Sequence, residues 1–345
     1  MTVDHEVLAG LRGRDLLGLA DLSAAEIGAL LRLAHHYKRT GERNNLLDRR
    51  EIGMLFNVSS TRTRVSFQVA ARHLGAHAEH YRAEDLRLAV AETLEDTGKV
   101  LSRYLDALIL RHYDMTRYGE GHAALTMLAE RSPVPVINAL DDHEHPCQVL
   151  ADLMTVQELH GPDPTAPRVV FTWAYSSRAK TPGVPHSWLL AAGALGMNLT
   201  VAHPPEFPLD AEYVKRSAAL AQDSGGRIEY VDDMREAVRD ADVVYVQSWK
   251  CLSREGADEA ARREAHRDWR VSTEVMDLAA PHAVYMDCLP SNRGEEVDAE
   301  VKDGPRSIIF DQAENRLHAQ KAILAALLAP AGSALSGDPD GGLLR

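Results

Sequence analysis

The chain has 345 residues, 45% of them hydrophobic and 26% charged, with 38 Lys and Arg against 51 Asp and Glu, a formal charge of −13. That length exceeds what a single core organises, so two domains are expected, and the composition is that of a folded globule. The acidic balance argues against nucleic acid as a partner, and no apolar run approaches the ~18–20 residues of a membrane span.

The N-terminus lacks the basic-then-apolar layout of a signal peptide, so a cytoplasmic enzyme is expected. Cys147, Cys251 and Cys288 are odd in number and far apart, which fits neither a disulfide framework nor a Cys-rich zinc site.

Along the chain, Ser23-Ala24-Ala25-Glu26 is a capping box before Ile27, Leu30, Leu31 and Ala34 at helical spacing. An apolar run from Ile52 to Val58 predicts a strand, followed by a helix with the stripe Phe67, Ala70, Ala71 and Leu74. Gly75 stands where a C-terminal cap would. The alternation continues with a helix over Leu94–Leu105, a strand over Ala107–Leu110, a helix over Ala123–Ala129 and a strand over Val134–Asn138. A longer helix from about Pro146 to Leu159 stops at the breaker Gly161-Pro162-Asp163-Pro164.

The second half predicts strands at Val169–Trp173, Leu199–Ala202, Ile228–Val231, Val243–Val246, Val284–Met286 and Ile308–Phe310. Helices are predicted over Trp188–Leu195, Ala211–Ala221, Met234–Ala241, Thr273–Ala279 and about Ala313 to Leu328. This order implies an α/β fold of parallel sheets flanked by helices. The tail from Pro330 to Arg345, rich in Gly, Pro and Asp, is expected to be disordered. Gly193-Ala194-Leu195-Gly196 lies between a helix and a strand, the reverse of a dinucleotide fingerprint, and there is no phosphate-binding P-loop.

Four segments carry chemistry. Ser59-Ser60-Thr61-Arg62-Thr63-Arg64 follows a strand and opens a helix, with no acidic residue from Ser59 to Leu74. Unpaired N–H groups and the helix dipole favour an anion there, so a phosphate site and a plain serine cap with exposed arginines are both open readings. In His143-Glu144-His145-Pro146-Cys147-Gln148, proline suits the first helical position and sets His145 and Gln148 on one side of the helix mouth. Metal is the lesser reading, because no partner cluster completes a site, and hydrogen bonding to a polar ligand suits the spacing better. Asp287-Cys288-Leu289-Pro290 ends a predicted strand, where open α/β sheets bind ligands, though a buried cysteine is the plainer alternative. Glu314-Asn315-Arg316-Leu317-His318 opens the last helix, where a surface ion pair is the plainer alternative.

Taken in order, these segments resemble the aspartate/ornithine carbamoyltransferase family from about Gly13 to Leu328. Ser60-Thr61-Arg62-Thr63-Arg64 looks like its carbamoyl-phosphate signature, Arg111 like its second phosphate arginine, and His145-Pro146-Cys147-Gln148 like its His-Pro-x-Gln motif. Cys288-Leu289-Pro290 resembles the ornithine branch's His-Cys-Leu-Pro, and Asn315-Arg316 the family's arginine near the carbamoyl group. Thr172-Trp173-Ala174-Tyr175, Pro182-Gly183-Val184-Pro185 and Val244 to Trp249 are most similar to the knotted, N-acetyl- or N-succinylornithine group. Three positions depart from that group: Gln247 stands for lysine, Asp141 for glutamate and Asp287 for histidine.

The resemblance implies a carbamoyl-phosphate domain over residues 1–145, with the last helix, 313–328, packing back on it. It implies an amino-acid domain over 146–312, two interdomain helices and a trefoil knot in the second domain. It further implies a homotrimer, no cofactor and no catalytic metal. Carbamoyl phosphate would be held by Ser60, Thr61, Arg62, Thr63 and Arg111, with His145, Gln148, Leu289 and Arg316 around the carbamoyl group. Arg64 would be structural. Cys288 would help place the amine, so the implied catalytic set is Arg62, Thr63, Arg111, His145, Gln148, Cys288 and Arg316. The acceptor pocket would comprise Asp141, His186, Gln247, Ser248, Trp249, Asp287 and Cys288. The implied reaction carbamoylates the side-chain amine of an ornithine-like diamino acid, with N-acylornithine and 2,3-diaminopropionate as alternative acceptors. Readings from other classes are a nicotinamide-dependent dehydrogenase, for which the glycine fingerprint is missing, and a non-catalytic phosphate-binding relative.

Overall fold

The computed structural model describes residues 3–85, 92–253 and 256–335, and its strands, counted among those residues, form two wholly parallel sheets. In the first, β1 (Glu51–Phe56), β2 (His77–Arg82), β3 (Ala107–Arg111) and β4 (Val136–Asn138) lie in the order β2-β1-β3-β4. In the second, β5 (Arg168–Trp173), β6 (Asn198–Ala202), β7 (Arg227–Val231), β8 (Val243–Gln247) and β9 (Val284–Met286) lie in the order β7-β6-β5-β8-β9. The central strands are near-continuous apolar runs because helices cover both their faces. The edge strand β2, His-Ala-Glu-His-Tyr-Arg, has only Ala78 buried, and its polarity hid it from a reading based on apolar runs.

Each sheet reverses direction once, between β1 and β3 and between β5 and β8. Register aligns the carboxyl ends at both reversals, Phe56 opposite Arg111 and Trp173 opposite Gln247. Crevices at such points are where open parallel sheets take ligands.

Two helices join the halves. Pro146–His160 leaves the first sheet with Pro146 in its first turn and is buried on every side from Pro146 to Val156. Ile309–Leu328 returns from the second sheet and packs against Pro146–His160, Ala24–Thr40 and Thr61–His73. Both are buried over most of their length, the second continuously from Ala319 to Leu328, because they lie between layers rather than on the surface. Helices Gly183–Leu195 and Ala211–Ser224 approach most closely at Gly193, where a Cβ would sit 2.6 Å from the Ser217 carbonyl oxygen. Gly193→Ala should therefore force the pair apart and cost about 1–3 kcal/mol in chemical denaturation. An unchanged midpoint would refute this account of the packing.

One predicted strand is wrong. Ile308–Phe310 makes no ladder: only Ser307 bridges Tyr285, and Ile309 opens the last helix. Ile309, Gln312 and Arg316 are buried at helical spacing while Phe310 is 72% exposed, so period 3.6 prevails over the short apolar run. Gly183–Leu195 starts five residues before the predicted Trp188, since Pro185 sits in the first turn, where its missing N–H has no partner to lose. The helices predicted over Leu94–Leu105, Met234–Ala241 and Thr273–Ala279 end sooner, at Leu101, Ala237 and Met276. Short helices at His5–Ala9, Gly256–Ala265 and Ala299–Lys302 were not anticipated.

The predicted disordered tail begins ordered. Leu335 is buried, and its carbonyl accepts the Tyr37 hydroxyl at 2.6 Å, while residues 336–345 lie outside the described residues. In the second domain, Lys250 N donates to the Lys180 carbonyl at 3.0 Å and Gln247 Nε2 to the Thr181 carbonyl at 3.1 Å, joining the loops after β8 and β5. No helix among the described residues is long and apolar enough to cross a membrane.

Candidate active site

A cleft of about 440 Å³ opens between the sheets and draws its lining from both reversal points. On one side stand Ser59–Thr63 after β1 and Arg111 and Tyr113 after β3. On the other stand Ser176 and Arg178–Thr181 after β5, Gln247 closing β8, and Cys288–Pro290 after β9. His145 and Gln148 from one interdomain helix and Arg316 from the other complete it.

The first wall is a helix mouth. Ser60 caps Thr61–His73: its hydroxyl accepts the Thr63 N–H at 3.3 Å and donates to Thr63 Oγ1 at 3.0 Å. With no acid in the first turn, the free N–H groups and the dipole face the cleft uncompensated. Arg111 lies above this mouth, pinned through Nε to the Val58 carbonyl at 3.1 Å and through Nη1 to the Ala139 carbonyl at 3.3 Å. Its guanidinium stands 5.5 Å from the Tyr113 ring centroid, and burial lowers its pKa. Arg64 points to solvent, as expected for a residue outside the site.

The floor is a buried relay. Arg316 donates to Gln148 Oε1 and, at 3.0 Å, to Thr63 Oγ1, tying the last helix to the phosphate mouth. Gln148 Nε2 donates to Asp152 Oδ1 at 2.7 Å, and Asp152 also takes Gln312 Nε2 at 2.7 Å and Trp188 Nε1 at 3.0 Å. This fixes the Gln148 amide with its oxygen toward Arg316 and the cleft. Burial raises Asp152 to about 6 and lowers Arg316 to about 10. Asp152 was missed by the sequence reading, although it stands one helical turn after Gln148 and so on the same face.

His145 is buried, and its Nδ1 has no hydrogen-bond partner. Burial first, then Arg316, Arg111 and Arg62, hold its pKa well below the ordinary range. A neutral ring of this kind offers one N–H and one acceptor nitrogen to a guest.

At the far wall the Cys288 thiol, raised to about 11 chiefly by burial, donates to Gln247 Oε1 at 3.0 Å. Leu289 has φ 47°, a left-handed backbone unusual for leucine. Asp287 stabilises that turn by accepting Leu289 N, the Tyr285 hydroxyl and the Ser291 hydroxyl, the last two at 2.6 Å each.

Five residues expected in an acceptor pocket fall elsewhere. Asp287 is buried and accepts three hydrogen bonds within that turn. Asp141 caps the His143 and Glu144 N–H groups and meets His122 Nδ1 at 2.8 Å. His186 is stacked on Tyr213 at 4.2 Å between ring centroids, with Nε2 accepting Asp210 N and Nδ1 at 3.0 Å from the His143 carbonyl. Ser248 accepts Arg263 Nη1 at 3.0 Å, and Trp249 is a core residue donating to the Phe207 carbonyl at 2.9 Å. The common reason is that each is already bound to neighbouring protein groups, in a cap, a stack, a turn or the core, while Gln247 at the end of β8 faces the cleft. His143 and His145 also part company, since His143 stacks on His122 at 4.6 Å while His145 enters the cleft. Arg178, Lys180 and Glu296 line the cleft without having been singled out; the position of the first two just after β5 was the available signal.

A family model described as the aspartate/ornithine carbamoyltransferase carbamoyl-P binding domain matches residues 14–158, and one described as the family's Asp/Orn binding domain matches residues 172–327. The chain belongs to the aspartate/ornithine carbamoyltransferase family. Among its relatives, the anabolic ornithine carbamoyltransferase of Pyrococcus furiosus is 42% identical over 93% of this chain and 98% of its own length. That of Methanothermobacter thermautotrophicus is 43% identical over 90% and 97% respectively. The solved Pyrococcus furiosus enzyme superposes with a TM-score of 0.83 at 42% identity, covering 92% of this chain and 98% of its own. An acetylornithine transcarbamylase complexed with acetylcitrulline reaches 0.86 at 33% identity, covering 92% and 100%.

Proposed function

We propose that the protein transfers the carbamoyl group of carbamoyl phosphate to the side-chain amine of ornithine, releasing a ureido amino acid and phosphate. The observation that carries this is the convergence of Ser60, Thr63, Arg111, His145, Gln148 and Arg316 on one cleft, from four separate parts of the chain. The same reading assigns carbamoyl phosphate to residues 1–145 and the acceptor to 146–312. It includes a knotted crossing near Lys180 and Lys250 and a homotrimer.

Carbamoyl phosphate binds first, its phosphate held by Ser60, Thr61, Arg62, Thr63, Arg111 and the helix N–H groups. Arginine forks match a phosphate in geometry and charge. The carbonyl oxygen faces Thr63, Arg111, Arg316 and the neutral His145, donors placed where negative charge grows in the transition state. The second lone pair of Gln148 Oε1 and the Leu289 carbonyl accept the carbamoyl N–H groups. The neutral amine attacks the carbonyl carbon, the C–O bond to phosphate breaks, and the amine proton leaves with the phosphate. Cys288, kept as a thiol, supports Gln247 and forms no bond to substrate.

Ornithine is favoured by the relatives at 42% identity; N-acylornithine is the second reading, on the likeness to acetylornithine transcarbamylase. Incubation with carbamoyl phosphate and a panel of amines, followed by assay of ureido products, decides between them. No product with any amine overturns the proposal in favour of a non-catalytic phosphate binder. Carbamoyl phosphate at a hundredfold over its Kd should stabilise the fold by about 2.7 kcal/mol in a thermal melt.

A further inference from the structure

We propose that the buried carboxylate of Asp152 is a positioning residue that aims both oxygens assigned to the carbamoyl amide, Gln148 Oε1 and the Leu289 carbonyl. It thereby makes the cleft select a carbamoyl phosphate over an acyl phosphate. The inference rests on the carbamoyl-transfer reading above and adds which group of the protein enforces recognition of the donor's NH2.

The direction of the hydrogen bonds is the first argument. Asp152 is fully buried, and donors surround it: Gln148 Nε2 and Gln312 Nε2 at 2.7 Å each on Oδ1, and Trp188 Nε1 at 3.0 Å on Oδ2. The Tyr245 hydroxyl is hydrogen-bonded to it as well. An ionised carboxylate only accepts and an indole N–H only donates, so both amides must turn their NH2 groups inward and their oxygens outward. The two ends of an amide are the same size, so shape does not decide which of them meets the cleft. The charge on its partner does. Burial raises this carboxyl to about 6, which leaves it ionised at neutral pH.

Where the oxygens then point is the second argument. Gln148 Oε1 takes the Arg316 guanidinium at the cleft and keeps a lone pair for a guest. Gln312 spends one N–H on Asp152 and the other on the Tyr245 hydroxyl at 3.2 Å, so its Oε1 is left to accept Asp287 N at 3.1 Å. The Asp287 carboxylate in turn accepts Leu289 N and fixes the turn that carries the Leu289 carbonyl. One carboxylate thus ties Pro146–His160, Ile309–Leu328 and the loop after β9 together, and through them sets two acceptors. A carbamoyl NH2 donates to both. A methyl group in its place donates nothing and strands two oxygens in a closed site, which weakens binding.

The test uses two stable probes, phosphonoacetamide and acetonylphosphonate, which differ only in NH2 against CH3. Calorimetry gives both Kd values for wild type, Asp152→Asn and Gln312→Met, at a pH well above 6. Wild type should bind phosphonoacetamide about tenfold or more the tighter, on the scale of one or two net hydrogen bonds. In Asp152→Asn the partner can donate, the Gln148 amide loses its fixed sense, and the ratio should fall to about threefold or less. The acetonylphosphonate Kd should stay within about twofold of wild type, whereas mere loosening of the packing would raise both values together. Gln312→Met releases only the arm to Asp287, so its ratio should lie between the other two; if Asp152→Asn does not fold, this variant decides. Equal binding of the two probes by wild type, a parallel rise of both Kd values, or a ratio unchanged in the variants overturns the role given to Asp152. Failure of wild type to bind phosphonoacetamide at all is a different result and overturns the carbamoyl-phosphate reading instead.

Discussion

Arg62→Ala should lower kcat/KM for carbamoyl phosphate by about 10³-fold, on the scale of losing one charged donor from a preorganised transition-state site. The circular dichroism spectrum and melting temperature should stay near wild type, because Arg62 makes no side-chain hydrogen bond or ion pair among the described residues and lines only the cleft. The loss should show in phosphate binding as well as in turnover, since the same guanidinium meets the phosphate before and during reaction. Steady-state kinetics and calorimetry with inorganic phosphate check both; turnover retained within tenfold would remove Arg62 from the phosphate mouth.

Arg316→Met should separate activity from stability in the opposite sense. Arg316 is a buried cation whose hydrogen bonds go to neutral oxygens, those of Gln148 and Thr63, and its Nε has no partner. Burial already lowers its pKa to about 10, the sign of a charge only partly compensated by its surroundings. Replacing a buried charged group by an apolar one of similar volume is often neutral or stabilising by about 1–4 kcal/mol. The ligand-free variant should therefore melt at or above the wild-type temperature while kcat falls by about 10²–10³-fold. The upward thermal shift given by carbamoyl phosphate should also shrink. A variant that melts well below wild type would mean that Arg316 serves the fold first.

The phosphate half of the site was legible because its signals are local. A capped helix mouth without acids, a proline-opened helix and an arginine closing a strand are each set by neighbours a few residues away. The parallel-sheet fold was legible for the same reason, through apolar runs such as Val169–Trp173. The acceptor half was not. Asp141 and Asp287 are chemically apt but committed to a local cap and a local turn, whereas His186, Ser248 and Trp249 are held by Asp210, Arg263 and Phe207, partners that lie far away in sequence. Lys180 and Glu296 meet across 116 residues, a pairing that no periodicity announces. At Ile308–Phe310, a three-residue run was too short to tell strand from helix start.

Gln148 and Arg316 lie on the two helices that bridge the halves, and they bond to each other. The carbonyl contact point is thus built into the hinge, whereas the phosphate grip and the Lys180 lip ride on separate sheets. Arg316 is also bonded to Thr63, so the first wall and this point form one unit, and the Lys180 lip faces them from the other sheet. On the proposed assignment, the contacts to both ends of carbamoyl phosphate are thus preassembled on one side of the cleft, and the second sheet contributes only the Leu289 carbonyl and the acceptor's side.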